Sequence, residues 1–313
     1  MFGRKEHTLW TEKYRPKTIE DYVWINDGQR QQVESWIKEG EIPHLLLSGG
    51  PGVGKSSLAK LLMKTLNVDS SDIKFVNASQ NTGIDYIREL VNFIETMPNG
   101  KYRYVILDEA DRLSSQAQDS LKSMIEEYSV ICRWILTTNR PNKIHPPLHS
   151  RMQGFHIEQL DREQFVTRVA TILIAEGIDL KEENLEILDE YVSVTYPDLR
   201  KCINTLQQNC KSGQLTRPSH VNSGGMTEYM VQAVHLFKNG KIHEARKLIC
   251  ANANENDFEE IYTLLYRNLD WFGKDEDTQN KAIVIIANRL KDHSLVADPE
   301  IALAACLIEL SML

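Results

Sequence analysis

The sequence predicts an α/β domain built on a parallel sheet, then a small helical domain, then an all-α C-terminal domain. Three observations carry this. Apolar, strand-like runs alternate with amphipathic helical patterns from His44 to Thr138. A Gly-rich loop joins the first of those strands to a helix, and after Phe155-His156-Ile157 only helical periodicity follows.

The segment Trp10 to Thr18 (WTEKYRPKT) holds two aromatics and a Tyr-Arg-Pro, too short and irregular for an element of its own. It reads as an extended segment packed on something. Gln29 to Gly40 has Val33, Trp36 and Ile37 on one side and a glycine as its stop, the pattern of a helix. His44-Leu45-Leu46-Leu47 reads as a buried strand running into Ser48-Gly49-Gly50-Pro51-Gly52-Val53-Gly54-Lys55-Ser56-Ser57. From Gly49 to Ser56 this fits G-x-x-x-x-G-K-[ST], a phosphate-binding loop. Gly52 and Gly54 let the backbone turn so that several N–H groups converge on one phosphate chain. Lys55 is the point charge for the β- and γ-phosphates, and Ser56 offers a hydroxyl ligand for Mg²⁺. Leu58, Leu61, Leu62 and Leu66 follow at helical spacing, so phosphate sits at a helix N-terminus.

A second strand spans Ile73 to Asn77, followed by the polar loop Ser79-Gln80-Asn81-Thr82-Gly83. The helix Ile84 to Met97 places Ile87, Leu90, Val91 and Ile94 on one face, and Pro98-Asn99-Gly100 stops it. Tyr102 to Leu107 is a strand ending in Asp108-Glu109; Ser114 to Tyr128 is a helix; Arg133 to Thr138 is a strand ending at Asn139. In an open parallel sheet, ligand residues gather at the carboxyl ends of the strands, where Gly49, Asp108 and Asn139 fall. Helices at Arg162 to Glu176, Lys181 to Val194 and Asp198 to Lys211 make a small unit, and the Gly/Pro/Ser-rich stretch beyond it reads as a linker. The tail shows two apolar stripes, Phe258/Ile261/Tyr262/Leu265/Leu269 and Ile283/Ile286/Ala287/Leu290. The expected boundaries are 1–158 for the nucleotide-binding domain, 159–212 for the helical domain, 213–225 for the linker and 226–313 for the tail.

Of the 313 residues, 42% are hydrophobic and 26% charged, enough for a sizeable core in two or three domains. The formal charge of -8 argues against a surface that coats nucleic acid, though a local basic patch fits within it. The longest apolar run, Ile301 to Ile308, falls well short of the roughly 20 residues that span a bilayer. The expectation is a soluble, cytoplasmic protein with no membrane partner. Five scattered cysteines without a C-x-x-C pair read as reduced thiols, and no two histidines on one helix have metal-ligand spacing.

Asp108 and Glu109 carry the expected chemistry. Asp108 holds the hydration shell of Mg²⁺, and Glu109 orients and deprotonates the water that attacks the γ-phosphate. An isolated Asp-Glu after a strand is commonly a helix cap; a phosphate loop in the same sheet favours catalysis. The amide of Asn139 is placed to bond the γ-phosphate or the attacking water, although Thr-Thr-Asn after a strand is by itself usually a turn. Arg151 (Leu148-His149-Ser150-Arg151) and Arg200 (Pro197-Asp198-Leu199-Arg200-Lys201) read, taken alone, as solvated arginines more readily than catalytic ones.

The ordered set WTEKYRP, GGPGVGKSS, VILDEADRLSSQAQDSLKSMIEE, ILTTN, HSR and PDLRK resembles the clamp-loader ATPases of the AAA+ superfamily, of replication factor C type, from Leu9 to about Leu206. Within that family, the short chain and compact tail are most similar to the large, ATP-hydrolysing subunit of tailed-bacteriophage clamp loaders, and host cytoplasm is the corresponding location. The resemblance implies an α/β P-loop (AAA+) domain, a helical lid and an all-α collar. It implies that Thr11, Glu12, Lys13 and Tyr14, with Val23, wrap the adenine and ribose of ATP, while Gly52, Val53, Gly54, Lys55, Ser56 and Ser57 hold its phosphates. Ser56 and Asp108 hold the Mg²⁺. Asn139 matches the sensor-1 position, Arg200 matches sensor 2, and Arg151 matches a finger inserted into the neighbouring subunit's ATP site. Met152 replaces the usual cysteine of that last motif, and Ser79-Gln80-Asn81-Thr82 replaces the usual acidic run.

The implied partners are a sliding clamp, primer-template DNA held by backbone contacts without sequence specificity, and other loader subunits in a ring. Those subunits include several copies of the chain itself and a smaller, non-identical one. Helix starts near Gly83 and Ser114, with Arg88 and Arg112, suit phosphate contacts; a solvated helix face serves equally for each residue singly. Ile301, Ala305, Ile308 and Met312 belong either to the core or to a collar interface. The implied function is the ATP-driven opening of a DNA polymerase clamp and its loading on primed DNA. A helicase loader or branch-migration motor is the alternative within the superfamily. A non-hydrolysing scaffold subunit is disfavoured by Lys55, Asp108, Glu109 and Arg151 all being present.

Overall fold

The computed structural model describes residues 9–80, 83–157, 159–211, 213–218, 226–254, 257–293, 295–296 and 298–313. They fall into two compact units: the described residues up to Arg168 together with Pro197–Arg200, and Val169–Tyr196 with Lys201–Leu313.

In the first unit the elements are α1 (Trp10–Lys13), α2 (Asp27–Glu39), β1 (Leu45–Gly49), α3 (Lys55–Thr65), β2 (Ile73–Asn77), α4 (Ile84–Ile94), β3 (Arg103–Asp108), α5 (Ser115–Glu127), β4 (Cys132–Thr138), α6 (Pro146–His149) and β5 (Gln153–Ile157), with α7 (Arg162–Ala175) beginning at its end. The five strands form one sheet of order β2-β3-β4-β1-β5, and every pairing is parallel. Parallel strands covered on both faces read as continuous apolar runs, and β1 is buried throughout. Alternate residues serve opposite faces. Leu46, Val105, Leu107, Trp134 and Leu136 join Ile87, Leu90 and Ile94 of α4 and Leu121, Met124 and Ile125 of α5 in one core layer. Elsewhere Trp36 of α2 meets Phe155 of β5, ring centroids 5.9 Å apart. The register aligns the functional ends: Ser48 pairs with Thr138 and Leu107 with Leu136, so the residues after β1, β3 and β4 emerge side by side.

Two sequence expectations in this unit need correction. Residues Trp10–Lys13 form a helical turn rather than an extended segment, anchored by buried Trp10. Helix α4 ends at Ile94, three residues earlier than expected. Pro98 disfavours helix at the residue before it, and Arg103 takes the carbonyls of Thr96 and Met97 at 3.1 and 2.7 Å. That guanidinium is itself buried against Asp72 at 2.6 Å. The Asp72 carboxylate accepts the Asn99 and Gly100 amides at 3.0 and 2.8 Å. The loop residues Asn81 and Thr82 lie outside the described residues.

Gly49, the last residue of β1, lies hard against the backbone of β5. Its φ is +149°, and a Cβ there would lie 2.0 Å from the Ile157 carbonyl oxygen of β5. Gly49→Ala is therefore expected to cost at least about 1–3 kcal/mol through backbone strain, with separation of β1 from β5 added to it. A urea unfolding midpoint unchanged from wild type would refute this.

The second unit holds the remainder of α7, then α8 (Glu182–Thr195), α9 (Leu199–Asn209, whose first two residues belong to the first unit), β6 (Cys210–Lys211), β7 (Gln214–Leu215), α10 (Met226–Lys238), α11 (Ile242–Asn252), α12 (Phe258–Arg267), α13 (Glu276–His293) and α14 (Pro299–Leu310). Strands do not stop at Ile157 as expected: β6 and β7 pair as a short antiparallel hairpin. The beginning of the expected linker is therefore folded. Leu215 is buried, Arg217 bonds Glu190 of α8, and the Gln232 amide of α10 donates to the Pro218 carbonyl. A polar composition suggests a free strap only until its groups find partners. Residues 219–225 lie outside the described residues.

In the tail, α12 buries Phe258, Ile261, Tyr262 and Leu265 as expected. On α13 the buried side is Ala282 and Ile286, and Ala287 and Leu290 face outward instead. Helix α14 is apolar on most sides. It buries Ala302, Leu303, Cys306, Leu307 and Leu310 and leaves Ile301 67% exposed, so a single-stripe reading cannot find its inner face; Met312, beyond the helix, is 77% exposed. The five cysteines are all free, and burial pushes the Cys132 and Cys306 thiols up to about 12, which keeps them protonated and unreactive.

Candidate nucleotide-binding site

The loop between β1 and α3 is built by its glycines. Gly52 and Gly54 have φ of +69° and +96°, backbone that side chains rarely adopt. Both are also crowded. A Cβ on Gly52 would fall 1.7 Å from an Asp198 carboxylate oxygen, and one on Gly54 would fall 3.1 Å from the Tyr22 ring. Tyr22 reaches the same loop with its hydroxyl, 3.5 Å from the Val53 carbonyl.

Lys55 opens α3 and is 7% exposed. Its ammonium donates to the Gly49 and Gly50 carbonyls at 2.9 and 2.5 Å. Burial pushes it down to about 8; Arg200 pushes the same way, and the Asp108, Asp111 and Asp198 carboxylates oppose them. An anionic ligand binds the charged ammonium better and so raises that value on binding. Triphosphate affinity is therefore expected to hold steady below pH 8 and to fall above it, approaching about tenfold per pH unit, with one proton taken up per nucleotide bound. Isothermal titration in buffers of different ionisation enthalpy measures that uptake, and an affinity flat to pH 9.5 would rule the mechanism out.

At the end of β3, one oxygen of Asp108 accepts the Ser56 hydroxyl at 2.6 Å and the Thr137 hydroxyl at 2.5 Å. Thr137 also accepts the backbone N–H of Glu109 at 3.1 Å. Glu109 itself has φ 57° and ψ 44°, left-handed backbone in a non-glycine residue. Such strain costs on the order of 1–3 kcal/mol and persists where the surroundings enforce it, often at functional sites. On β4, the Thr138 hydroxyl donates to Asp111 at 2.9 Å and the Asn139 backbone N–H to the same oxygen at 3.3 Å.

Of the expected site residues, Gly52, Gly54, Lys55, Ser56, Ser57, Asp108, Glu109, Asn139 and Arg200 line one cleft, with Pro51, Thr137 and Thr138. Val53 is buried behind the loop. Thr11, Glu12, Lys13, Tyr14 and Val23 do not line it: the first three lie in α1 and Tyr14 caps it, Glu12 pairs with Arg15 at 2.6 Å, and the Tyr14 carbonyl accepts Arg168 at 2.9 Å. Val23 is buried beside Tyr22. Sequence reasoning missed Tyr22, Asp111, Thr137 and Asp198. A second threonine before Asn139 and an aspartate in PDLRK were the available signals.

Residues 45–159 match the family described as "ATPase family associated with various cellular activities (AAA)". A replication factor C small subunit from Methanocella arvoryzae is 32% identical over 285 residues, covering 87% of this chain and 86% of that protein. The corresponding protein from Methanococcus maripaludis is 35% identical over 276 residues, covering 86% and 82%. The chain belongs to the replication factor C family. Among solved structures, the Thermotoga maritima RuvB Holliday junction branch migration motor overlays with a TM-score of 0.55 at 16% identity, over 80% of this chain and 79% of that one. At that identity the overlay speaks for the fold alone, an AAA core followed by helices.

As a replication factor C relative, the chain carries Arg151 outside the cleft just described. Its Nε lies 2.7 Å from Glu126 of α5, a second guanidinium nitrogen bonds the same carboxylate, and a third lies 2.7 Å from the Pro147 carbonyl.

Proposed function

We propose that this chain is an ATP-hydrolysing motor subunit of a sliding-clamp loader, opening the clamp and placing it on primer-template DNA. The reading rests above all on one arrangement: a phosphate loop, a hydroxyl–carboxylate pair and a strained glutamate in one cleft, in a chain of the replication factor C family. Within it, Lys55 neutralises phosphate charge, Arg200 senses the γ-phosphate, Asn139 orients the attacking water and Glu109 takes its proton. Ser56 and Asp108 are hard oxygen donors in direct contact beside the phosphate loop, which fits Mg²⁺. That ion, when bound, supplies charge stabilisation at the phosphates. The adenine side is assigned to Thr11 to Tyr14 and Val23 on the resemblance alone, because they lie outside the phosphate cleft, while Tyr22 touches the loop itself.

The division into an ATPase domain, a lid at 159–212 and a collar at 226–313 belongs to the same proposal. Exposed Ile301, Ile308 on the same face, and Met312 support a collar that meets other subunits. Exposed Arg88 and Arg112, with the N-terminus of α5 capped by Ser114, support backbone contacts to duplex DNA. Among the described residues no helix is long and apolar enough to cross a membrane. The finer assignment, the large subunit of a tailed-bacteriophage loader with a smaller partner, rests on the Tyr196-Pro197-Asp198-Leu199-Arg200-Lys201 sequence alone. The relatives above are archaeal small subunits.

The discriminating experiment measures steady-state hydrolysis by the assembled complex with clamp, with primed DNA, and with both. A loader hydrolyses fastest with both. Processive strand displacement or branch movement without any need for the clamp would favour the motor reading instead. Native mass spectrometry of the same complex, showing rings of this chain alone, would sink the two-subunit assignment.

A further inference from the structure

Outside the nucleotide cleft, the second unit holds a cluster of a different chemistry. Glu186 and Glu190 stand four residues apart on α8, and His235 faces them from α10. The His235 Nδ1 atom lies 2.7 Å from one Glu190 oxygen and 3.8 Å from one Glu186 oxygen. The three ligand atoms all lie within 4.8 Å of one another. Glu190 is fully buried and Glu186 is about half exposed. Arg217 grips the buried carboxylate with both arms, at 2.8 and 2.9 Å, one on each oxygen.

We propose that Glu186, Glu190 and His235 form a binding site for a divalent transition cation of the zinc class, which ties α8 to α10. Ligands at about 2.0–2.1 Å from a tetrahedral ion lie about 3.3 Å apart, and the two Nδ1 separations bracket that value. One imidazole and two carboxylates suit zinc, cobalt or manganese better than magnesium or calcium, which prefer oxygen alone. Two carboxylates face a single guanidinium, partly out of water, which leaves oxygen donors in excess for a cation. A carboxylate has about four lone-pair positions. Arg217 and His235 use three on Glu190, so Arg217 remains in place behind the ion and fixes the Glu190 rotamer. Binding uses the Nδ1 lone pair. The neutral ring therefore moves its proton to Nε2, and a charged ring releases one proton to solvent. The half-exposed side of Glu186 leaves the remaining position to water.

The test titrates Co²⁺ into the full chain with its nucleotide cleft saturated by Mg²⁺-ADP, reading d–d absorption, and follows thermal unfolding with and without Zn²⁺. One Co²⁺ per chain is expected, together with a Zn²⁺-dependent rise in Tm. Arg217→Lys is expected to weaken binding about 10–100-fold, as losing an outer partner does, and His235→Ala and Glu186→Gln by more than that. Glu186 is half exposed, so Glu186→Gln is expected to keep the wild-type metal-free Tm, whereas His235→Ala takes a partner from buried Glu190 and is expected to lower it. If either fails to fold, His235→Gln supplies the same loss of an imidazole ligand at similar volume. Absence of d–d absorption, absorption that survives loss of His235, or a thiolate charge-transfer band would each overturn the proposal.

Discussion

Glu109→Gln is expected to lower steady-state hydrolysis by about 10²–10⁴-fold, the usual contribution of a general base, while nucleotide affinity stays within twofold of wild type. The argument is local. The amide has the shape of the carboxylate and hydrogen-bonds the attacking water, but it does not accept a proton from it. Position 109 follows Asp108 at the end of β3, in left-handed backbone held by its N–H bond to Thr137. That bond involves the backbone and survives the substitution, so a fall in rate reports the side chain and not a collapsed loop. Glu109→Gly separates the two effects: it removes the carboxylate and the backbone strain together, and is expected to raise Tm while abolishing turnover. Near-wild-type turnover by Glu109→Gln would show the residue to be no more than a helix cap.

The strands and the phosphate loop were legible in the sequence because their signals are local: an apolar run, a glycine pattern, a helix after it. The residues that complete the cleft were less so. Tyr22 and Asp198 reach the loop from 30 residues before Gly52 and from nearly 150 after it, and a single sequence carries no record of that meeting. Thr137 looked like one more β-branched strand residue. Only the register, which sets it level with Asp108, gives its hydroxyl a role. The same limit hid the Glu190 network. Its arginine lies in a stretch that reads as linker and its histidine on a helix beyond it. The inner face of α13 was misjudged for another reason, since Ala282 to Ala287 is apolar at every position. When apolar residues surround a helix, periodicity no longer says which side is core, and neighbours decide.

Arg151→Ala is expected to leave the nucleotide affinity of the isolated chain unchanged and to remove most of the stimulated hydrolysis of the assembled complex. An arginine supplied to a γ-phosphate across an interface is worth about 10³–10⁵ in rate. Arg151 does not line its own cleft, and it follows α6, a turn that opens on Pro146 and Pro147 and so has a restricted backbone. Glu126 and the Pro147 carbonyl hold the guanidinium, which limits the rotamer freedom still to be lost on meeting a phosphate. The decisive measurement mixes two defective proteins, Arg151→Ala and Glu109→Gln, in one ring. An interface that pairs an intact Glu109 with a neighbour's intact Arg151 regains activity, so hydrolysis is expected to rise with the statistical frequency of such interfaces. If mixed rings form and none exceeds the activity of either mutant alone, Arg151 acts within its own subunit, and coupling of hydrolysis to ring assembly must be sought in another residue.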